Sequence, residues 1–391
     1  MKKRTLLMIP GPIEFEPAVL AALGEPTTSH LDPTFIEAFG RSLERMRQVF
    51  ESPSGQPLVL AGSGTLAMDC AGANLVEPGD KALVVNTGYF SERFATILER
   101  YGAHTRLVSA PAGGRPQLEQ VKLALEADAY KLMTITHVDT STAVLADVQE
   151  IAALGQQNGV IVIVDGVCSV AGEELQMDAW GVDLSLTASQ KAIGVPPGLA
   201  LVMIGQRALE VFQKRTTPVL NYYADWTNWL PIMKAYEERR NSYFGTPAVN
   251  LIFALNVSLE QILAEGMAKR LARHINISRA CKAGIQALGL SQVPLKPEYA
   301  AHTLSAVRYP TGVKAGDFLA GANKAGVTLA GGLLPSIRNE YFRIGHMGAV
   351  TLADVLATIS AIESSLSDCG YKFSPNAGIE AARGEVKKGT S

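Results

Sequence analysis

The feature that most constrains the fold is a series of seven short apolar segments between residues 58 and 204, separated by segments with helical periodicity. The apolar runs are continuous rather than alternating, which is typical of strands buried on both faces. Strands that alternate with helices in this way predict an α/β domain with a mainly parallel, helix-covered sheet. The predicted strands are Leu58–Leu60, Ala82–Asn86, Thr105–Val108, Leu132–His137, Val160–Asp165, Leu184–Ala188 and Leu199–Ile204.

The pattern changes after residue 205. A long helical stretch from 248 to 288, with a break at Gly266, precedes short strand and helix candidates that predict a small α+β C-terminal domain. We therefore expect an N-terminal segment over residues 1–20, a large domain over 21–250, a small domain over 251–370 and a surface tail over 371–391.

Charge and cysteine content exclude several classes of protein. The 35 Lys and Arg residues nearly balance 37 Asp and Glu residues, for a net charge of −2, which argues against an obligate nucleic-acid binder. The four cysteines are far apart and lack zinc-ligand spacing, so neither a disulfide framework nor a zinc site is predicted. The first apolar run, Leu6–Ile9, is too short for a secretory or membrane-spanning segment. We expect a cytoplasmic protein with no membrane partner, although mitochondrial and peroxisomal locations stay open.

Two residues with reactive side chains follow predicted strands. Asp165 ends one buried strand, and Lys191 follows the next strand in a turn rich in glycine and proline. Ligands of open α/β sheets bind at this carboxyl edge. A lysine there can form a Schiff base with pyridoxal 5'-phosphate, while a carboxylate pairs with the pyridinium nitrogen and keeps the ring an electron sink. Each residue taken alone also fits a structural role, as a helix cap or a surface lysine.

The segment Ala61–Thr65 (Ala-Gly-Ser-Gly-Thr) lies between a predicted strand and a predicted helix. Its glycines, hydroxyls and helix N-terminus suit a phosphate group. The segment also fits a dinucleotide fingerprint through Ala67, but the next strand ends at Asn86–Gly88 without the acidic residue that would hold a ribose. A dinucleotide site would also leave Asp165 and Lys191 without a role. A tight turn without a ligand remains a further alternative.

Two more segments carry polar groups that suit a ligand. The hydroxyl-rich loop His137–Thr142 follows a predicted strand and suits hydrogen bonds to a cofactor or substrate. His137 and Asp139 have no third residue at a spacing that would complete a metal site. Arg343 lies in an otherwise apolar strand, where a charge needs a partner. That partner is either a substrate carboxylate, held by a bidentate fork, or a structural acid.

Taken together, these segments resemble the class-V pyridoxal-phosphate aminotransferases of the alanine–glyoxylate and serine–pyruvate type. The similarity extends over nearly the whole chain, in the expected order. It rests on Leu7–Pro12, Ala61–Thr65, Thr136–Thr142, Thr187–Ala192 and Arg343–Gly345. The resemblance implies fold type I, which is a large domain with a mainly parallel seven-stranded sheet plus a small α+β C-terminal domain.

The resemblance also implies a role for each matching residue. Lys191 is similar to the Schiff-base lysine and Asp165 to the partner of the pyridinium nitrogen, while Arg343 resembles the arginine that binds the substrate carboxylate. The remaining implied cofactor residues are Val167 below the ring, Phe90 stacked on it, Thr140 at its hydroxyl, and Ser63, Gly64, Thr65 and Gln190 around the phosphate. Some relatives carry His at the position of Thr65 and Trp at that of Phe90.

Two implied features involve other parts of the assembly. Gly11 resembles a residue of the N-terminal segment that lines the substrate pocket. Tyr243 and Thr246 resemble residues that reach the phosphate of a partner subunit, which implies a homodimer with shared active sites.

The activity implied by the resemblance is amino transfer from a small donor, L-alanine first, to glyoxylate, giving pyruvate and glycine. Serine and ureidoglycine are the alternative donors on the same scaffold. A cysteine desulfurase needs a nucleophilic cysteine ahead of the carboxylate-binding arginine, and no cysteine lies between Cys281 and Arg343. A non-catalytic, cofactor-binding dimer would not need Lys191, Asp165 and Arg343 together.

Overall fold

The computed structural model describes residues 4–388, with helices before, between and after the strands of four sheets. The helices are α1 (Pro17–Gly24), α2 (Pro33–Val49), α3 (Gly64–Leu75), α4 (Tyr89–Arg100), α5 (Leu118–Glu126), α6 (Val148–Gln157), α7 (Gln206–Gln213), α8 (Trp226–Glu237), α9 (Val249–Glu265), α10 (Met267–Ala287), α11 (Ala315–Lys324), α12 (Leu352–Asp368) and α13 (Ala377–Lys388). The strands are β1 (Leu6–Leu7), β2 (Gln56–Gly62), β3 (Lys81–Asn86), β4 (His104–Ser109), β5 (Leu132–Thr136), β6 (Val138–Asp139), β7 (Val144–Leu145), β8 (Ile161–Asp165), β9 (Leu184–Ala188), β10 (Gly198–Ile204), β11 (Leu304–Arg308), β12 (Val327–Thr328), β13 (Ala330–Gly331) and β14 (Tyr341–Gly345).

The central sheet has seven strands in the order β2-β10-β9-β8-β5-β3-β4. Only β10 runs antiparallel to its neighbours in this sheet, so the prediction of a mainly parallel seven-stranded sheet is confirmed. The seven strands lie where the sequence predicts them, with ends shifted by at most two residues. The three central strands β5, β8 and β9 are buried along their whole length, which explains their continuous apolar runs.

The strand order creates a crevice at the carboxyl edge of this sheet. The chain leaves β3 toward β4 on one side, whereas β5 lies on the other side of β3 and is followed by β8. Loops that diverge in this way open a ligand site between them. The loops after β3 and β5 begin at Thr87 and His137, and Asp165 ends β8 next to Thr136 in the sheet register.

The C-terminal part forms the predicted α+β unit. Its antiparallel sheet has the order β11-β14-β13, and α11 and α12 pack together beside it. The N-terminal strand β1 pairs with β12 in parallel, and Met8 is buried in the small hydrophobic cluster with Phe342 and Ile344. The first residues therefore attach to the C-terminal part although they precede the large sheet. The domain boundaries given above stay a prediction.

The long helical stretch breaks where the sequence predicts. Gly266 has φ +83°, a left-handed conformation that favours glycine, and separates α9 from α10. No single helix within residues 4–388 is long and apolar enough to span a membrane. The α9–α10 pair passes the length and composition test only when its two helices are combined, and they meet at 87°.

The expectation of a surface tail after residue 371 needs correction. Residues Ala377–Lys388 form α13, which packs against α10 and α12. Ala382 is fully buried in the small hydrophobic cluster. A Cβ at Gly284 would lie 3.1 Å from the carbonyl oxygen of Gly378, and one at Gly378 would lie 2.7 Å from the side chain of Ile359, so glycines permit the close helix contact. Small, polar residues in this stretch reflect close packing on one face and exposure on the other.

We predict that Ala382→Asp lowers the free energy of unfolding by about 3 kcal/mol, because it places an unpaired carboxylate in an apolar cluster. Ala381→Asp is the matched control, since the neighbouring side chain is only partly buried and should change stability much less. Urea unfolding of both variants measures the difference. Equal effects would mean that α13 does not pack as described.

Candidate active site

Lys191 follows β9 and is 92% shielded from solvent, with a relative exposure of 8%. Its Nζ donates a hydrogen bond to the carbonyl oxygen of Pro10. A Cβ at Gly11 would lie 2.7 Å from Cδ of Lys191, so any larger residue there would displace the lysine. The N-terminal segment thus packs directly on the predicted reactive amine, and Gly11 lines the same cavity as Lys191.

The N-terminal segment is held against β14. The backbone N–H of Gly345 donates to the carbonyl oxygen of Met8 at 2.9 Å. A Cβ at Gly345 would lie 2.1 Å from the carbonyl oxygen of Ile9, so only glycine allows this approach. Two residues before Gly345 on the same strand lies Arg343, and the segment therefore connects the predicted carboxylate-binding arginine with Lys191.

Asp165 is a buried carboxyl group at the end of β8. Its Oδ1 accepts a hydrogen bond from the backbone N–H of Val167 at 3.0 Å. Desolvation raises the pKa of Asp165 to about 7, and the Val167 hydrogen bond and the charge of Lys191 offset part of that shift. No basic side chain lies within ion-pair distance of Asp165 in residues 4–388. A cationic ligand group would therefore stabilise the ionised carboxylate.

The predicted phosphate cup, which we define as Ser63, Gly64, Thr65 and Gln190, combines the start of α3 with the turn after β9. No side chain caps this helix, so its first N–H groups are available to an anion. Oε1 of Gln190 is buried without a hydrogen-bond partner. A Cβ at Gly64 would lie 2.9 Å from the side chain of Val167, so glycine keeps this part of the cradle open.

Asp139 joins the loops after β3 and β5. Its Oδ2 accepts from the backbone N–H groups of Phe90 at 3.0 Å and Ser91 at 3.3 Å, at the first turn of α4. Its Oδ1 accepts from the backbone N–H of Ser141 at 2.9 Å. These bonds place the ring of Phe90 beside the hydroxyl-rich loop that carries Thr140. The structure therefore gives Asp139 a positioning role that the sequence did not indicate.

Arg343 is a largely buried guanidinium without an acidic partner. Its Nε donates to the carbonyl oxygen of Gly331 at 2.9 Å, and its Nη1 donates to that of Thr140 at 3.2 Å. Burial lowers the pKa of this side chain. No carboxylate lies within 4 Å of it in the described part of the chain. A structural ion pair, the alternative considered from the sequence, is thus not formed, and a ligand carboxylate fits the free donors.

One cavity of about 140 Å³ brings most of the predicted residues together. Its lining comprises Gly11, Ser63, Gly64, Thr65, Met68, Phe90, Arg93, Thr140, Val167, Gln190 and Lys191. Asp165 and Arg343 do not line the cavity themselves. Asp165 accepts a hydrogen bond from the backbone N–H of Val167, and Arg343 donates one to the carbonyl oxygen of Thr140, and both of these partners line the cavity. Tyr243 and Thr246 lie apart in an exposed segment, where the ring of Tyr243 is 63% exposed.

Sequence reasoning missed three residues of this site. Met68 and Arg93 line the cavity. Helical spacing could have indicated Arg93, because it lies three residues after Phe90 on α4 and so on the same face of that helix. Arg270 is buried and donates to the carbonyl oxygens of Ala171 at 2.8 Å and Ala192 at 2.6 Å. It fixes the turn that carries Lys191, and no local sequence pattern indicates this long-range contact.

His137 is the buried histidine of the hydroxyl-rich loop. Burial lowers the pKa of His137 to about 4, so its ring is neutral at physiological pH. No group of three or more His, Cys, Asp or Glu side chains in residues 4–388 is placed to hold a metal ion.

The cavity has the features that pyridoxal phosphate requires. It offers uncapped helix N–H groups with an unpartnered amide at one end, a buried carboxyl group behind Val167, an aromatic ring from Phe90, and the amine of Lys191. An anionic phosphate, a protonated ring nitrogen, a ring face and an aldehyde would match these groups in turn. The residues present therefore fit this cofactor.

Comparison with known proteins gives a consistent result. The family described as aminotransferase class-V matches residues 19–347. The chain is 40% identical to alanine–glyoxylate aminotransferase 1 of Saccharomyces cerevisiae over 357 residues, which is 88% of this chain and 91% of the yeast protein. It is 31% identical to L-aspartate–glyoxylate aminotransferase of Paracoccus denitrificans over 396 residues, which is 100% of this chain and 98% of that protein.

A solved structure shows the same similarity in three dimensions. The crystal structure of alanine–glyoxylate aminotransferase from Nostoc sp. superposes with a TM-score of 0.88 at 32% sequence identity. The superposition covers 94% of this chain and 96% of the Nostoc chain.

We predict that Asp165 makes the stability of the cofactor-free protein depend on pH. Its pKa is about 7 in the folded state and near 4 in the unfolded state, so unfolding releases a proton between these values. The wild-type protein should lose stability relative to Asp165→Asn by up to about 1.4 kcal/mol per pH unit as pH rises from about 4 to 7, with no further change above. Urea unfolding of both proteins across this range is the measurement. Parallel curves would show that Asp165 titrates normally.

Proposed function

Because the chain belongs to the class-V aminotransferases, we propose that it transfers the amino group of L-alanine to glyoxylate, giving pyruvate and glycine. The observation that carries this proposal is Arg343, a largely buried guanidinium whose donors face no protein carboxylate in the described residues and which is hydrogen-bonded to Thr140 at the cavity. Such a group selects substrates that carry a carboxylate, and both L-alanine and glyoxylate do.

The enzyme is a pyridoxal-phosphate-dependent aminotransferase. When bound, the cofactor supplies an electron-withdrawing ring that stabilises negative charge at the Cα of the amino acid. The phosphate cup would hold its phosphate group, Phe90 and Val167 would contact its ring, and Asp165 would hold its ring nitrogen.

Lys191 is the residue that we propose to move the proton. Its amine lies in the cavity, where the carbonyl oxygen of Pro10 holds it. A free amine at this position can take the proton from Cα of the donor and return a proton to the product, which is general base and acid catalysis by one group. Arg270 contributes by fixing the turn that carries this lysine.

Asp165 supports the reaction through its charge. Burial without a basic partner disfavours the carboxylate, as the raised pKa shows. A protonated ring nitrogen would restore the charged form, and the resulting pair would keep that nitrogen protonated throughout turnover.

The preference for a small donor rests on the N-terminal segment. Gly11 packs against the side chain of Lys191, so the N-terminal segment restricts the space beside this amine. The side chain of L-alanine is a single methyl group, whereas larger donors would need the segment to move. The yeast and Nostoc relatives, named as alanine–glyoxylate aminotransferases, support the same choice. L-Serine, L-aspartate and ureidoglycine remain the competing donors.

We also propose a homodimer in which each subunit completes the site of the other. Ser63 and Thr65 are exposed, so the phosphate cup is open on one side in a single chain. Tyr243 and Thr246 are exposed as well and have no access to the cavity of their own chain. Large apolar side chains that a partner would cover are exposed nearby, and among them Leu220 and Tyr222 are 73% and 78% exposed. A cytoplasmic location stays a prediction.

A panel of amino donors tests the proposed activity. With glyoxylate as acceptor, kcat/KM should be highest for L-alanine, and glycine and pyruvate should form in equal amounts. Lys191→Ala is the control, and it should lose at least about three orders of magnitude of rate while remaining folded. A preference for L-serine, L-aspartate or ureidoglycine would overturn the donor but not the reaction class. Cofactor binding without turnover of any donor would favour the non-catalytic dimer.

The role of Arg343 has its own test. Arg343→Ala should raise KM for glyoxylate by roughly 30- to 900-fold, equivalent to about 2–4 kcal/mol of lost charged hydrogen bonding. Arg343→Lys should recover part of this loss because it keeps the charge but not the fork. Arg308→Ala is the matched control, since Arg308 lies on the adjacent strand β11 and pairs with Glu340 on the surface. An unchanged KM in Arg343→Ala would show that another group holds the carboxylate.

A further inference from the structure

Arg93 is a charged residue of the cavity that neither the sequence nor the comparisons assign. It lies on the first turns of α4 and lines the cavity beside Phe90 and Thr65. Among the described side chains, no carboxylate lies within ion-pair distance of its guanidinium. An arginine that lines a ligand cavity without an acidic partner has donors and charge available for a ligand.

The guanidinium of Arg93 is held in place by its neighbours. Its Cζ lies 4.7 Å from the ring centroid of Phe90 and 5.0 Å from that of Tyr89, so it stacks near both aromatic rings. Its Nη1 donates to Oγ1 of Thr65 at 3.0 Å, and its Nη2 lies 3.4 Å from the hydroxyl of Tyr89. Because these contacts use only part of the five N–H donors, the group is oriented and still able to bind.

The contact with Thr65 places this charge at the phosphate end of the cavity. Thr65 belongs to the phosphate cup, at the uncapped start of α3. The other members of the cup, Ser63, Gly64 and Gln190, are neutral, and a helix N-terminus contributes only about half a positive charge. Among the described residues that line the cavity, Arg93 and Lys191 are the basic ones, and Lys191 is bonded to Pro10. A phosphate group with nearly two negative charges therefore lacks a counter-charge unless Arg93 supplies it.

We propose that Arg93 binds the phosphate group of the cofactor and supplies the formal positive charge of the phosphate cup. Charge-assisted hydrogen bonds from a guanidinium to phosphate are stronger than those from neutral hydroxyls and amides. The competing role is purely geometric, in which Arg93 only holds the ring of Phe90 against the cofactor ring. The two roles differ in what they act on, which is the phosphate in one case and the pyridine ring in the other.

The test compares two ligands that differ by the phosphate. Cofactor-depleted full-length protein is titrated with pyridoxal phosphate and with pyridoxal, and binding is followed by absorbance and by thermal stability. Arg93→Gln should weaken pyridoxal phosphate on the order of tenfold or more, while the affinity for pyridoxal changes less than about threefold. Arg93→Lys should fall between wild type and Arg93→Gln, because it keeps the charge without the planar fork.

Arg100→Gln is the matched control, because Arg100 is exposed in the last turn of the same helix and the substitution removes the same charge. It should leave both affinities unchanged. Inorganic phosphate should compete with pyridoxal phosphate in the wild type and in Arg100→Gln, and should compete much more weakly in Arg93→Gln.

Two outcomes would overturn the inference. An equal loss of affinity for both ligands in Arg93→Gln would mean that Arg93 positions Phe90, and an unchanged affinity for pyridoxal phosphate would mean that the phosphate is bound without it. The inference rests on the cofactor of the family and not on the proposed donor. Since the titration uses no amino acid, failure of the donor proposal and failure of this inference are distinguished.

Discussion

The arrangement of loops at the carboxyl edge of the parallel sheet is the constraint on which the site depends. Because β3 leads outward to β4 while β5 lies on its other side, the loops after these two strands separate and leave a crevice. The carboxylate of Asp139 bridges the crevice at its base by accepting from backbone N–H groups of both loops. Phe90 and Thr140 thereby face one cavity, although 49 residues of chain lie between them.

Three ionisable side chains at this cavity have no oppositely charged partner among the described residues. Asp165 is buried without a cation, Arg343 is largely buried without an anion, and Arg93 faces the cavity without a carboxylate. For Asp165 and Arg343, which are removed from solvent, an uncompensated charge costs free energy in the protein alone. Each of the three side chains is opposite in charge to one proposed ligand group, namely a cationic ring nitrogen, a substrate carboxylate and a phosphate. A protein that depends on bound groups to neutralise its interior is expected to gain stability when they bind.

The N-terminal segment connects the two hydrophobic clusters at the reactive residue. Leu6 pairs with Val327 in the small domain, Met8 bonds to Gly345, and Pro10 and Gly11 contact Lys191. A relative movement of the two parts of the chain would therefore be transmitted to the lysine through six residues. This geometry explains why two glycines, Gly11 and Gly345, occupy positions where a Cβ would collide.

The sequence by itself determined the strand pattern, and it predicted the phosphate cup and the site residues Asp165, Lys191 and Arg343, because strand ends, glycine-rich turns and a charge in an apolar run are local signals. Tertiary structure decided how these residues are connected: Asp139 across two loops, Arg270 behind the lysine turn and Arg93 between Phe90 and Thr65. The contacts of Asp139 with Phe90, of Arg270 with Ala192 and of Arg93 with Thr65 each join positions distant in the chain, and for single polar residues no periodicity reports such a contact. The helix after residue 371 was missed for a related reason. Its small residues are typical of a polar tail in the sequence. In the folded protein they pack on α10 and α12, which supply a surface that the local sequence does not show.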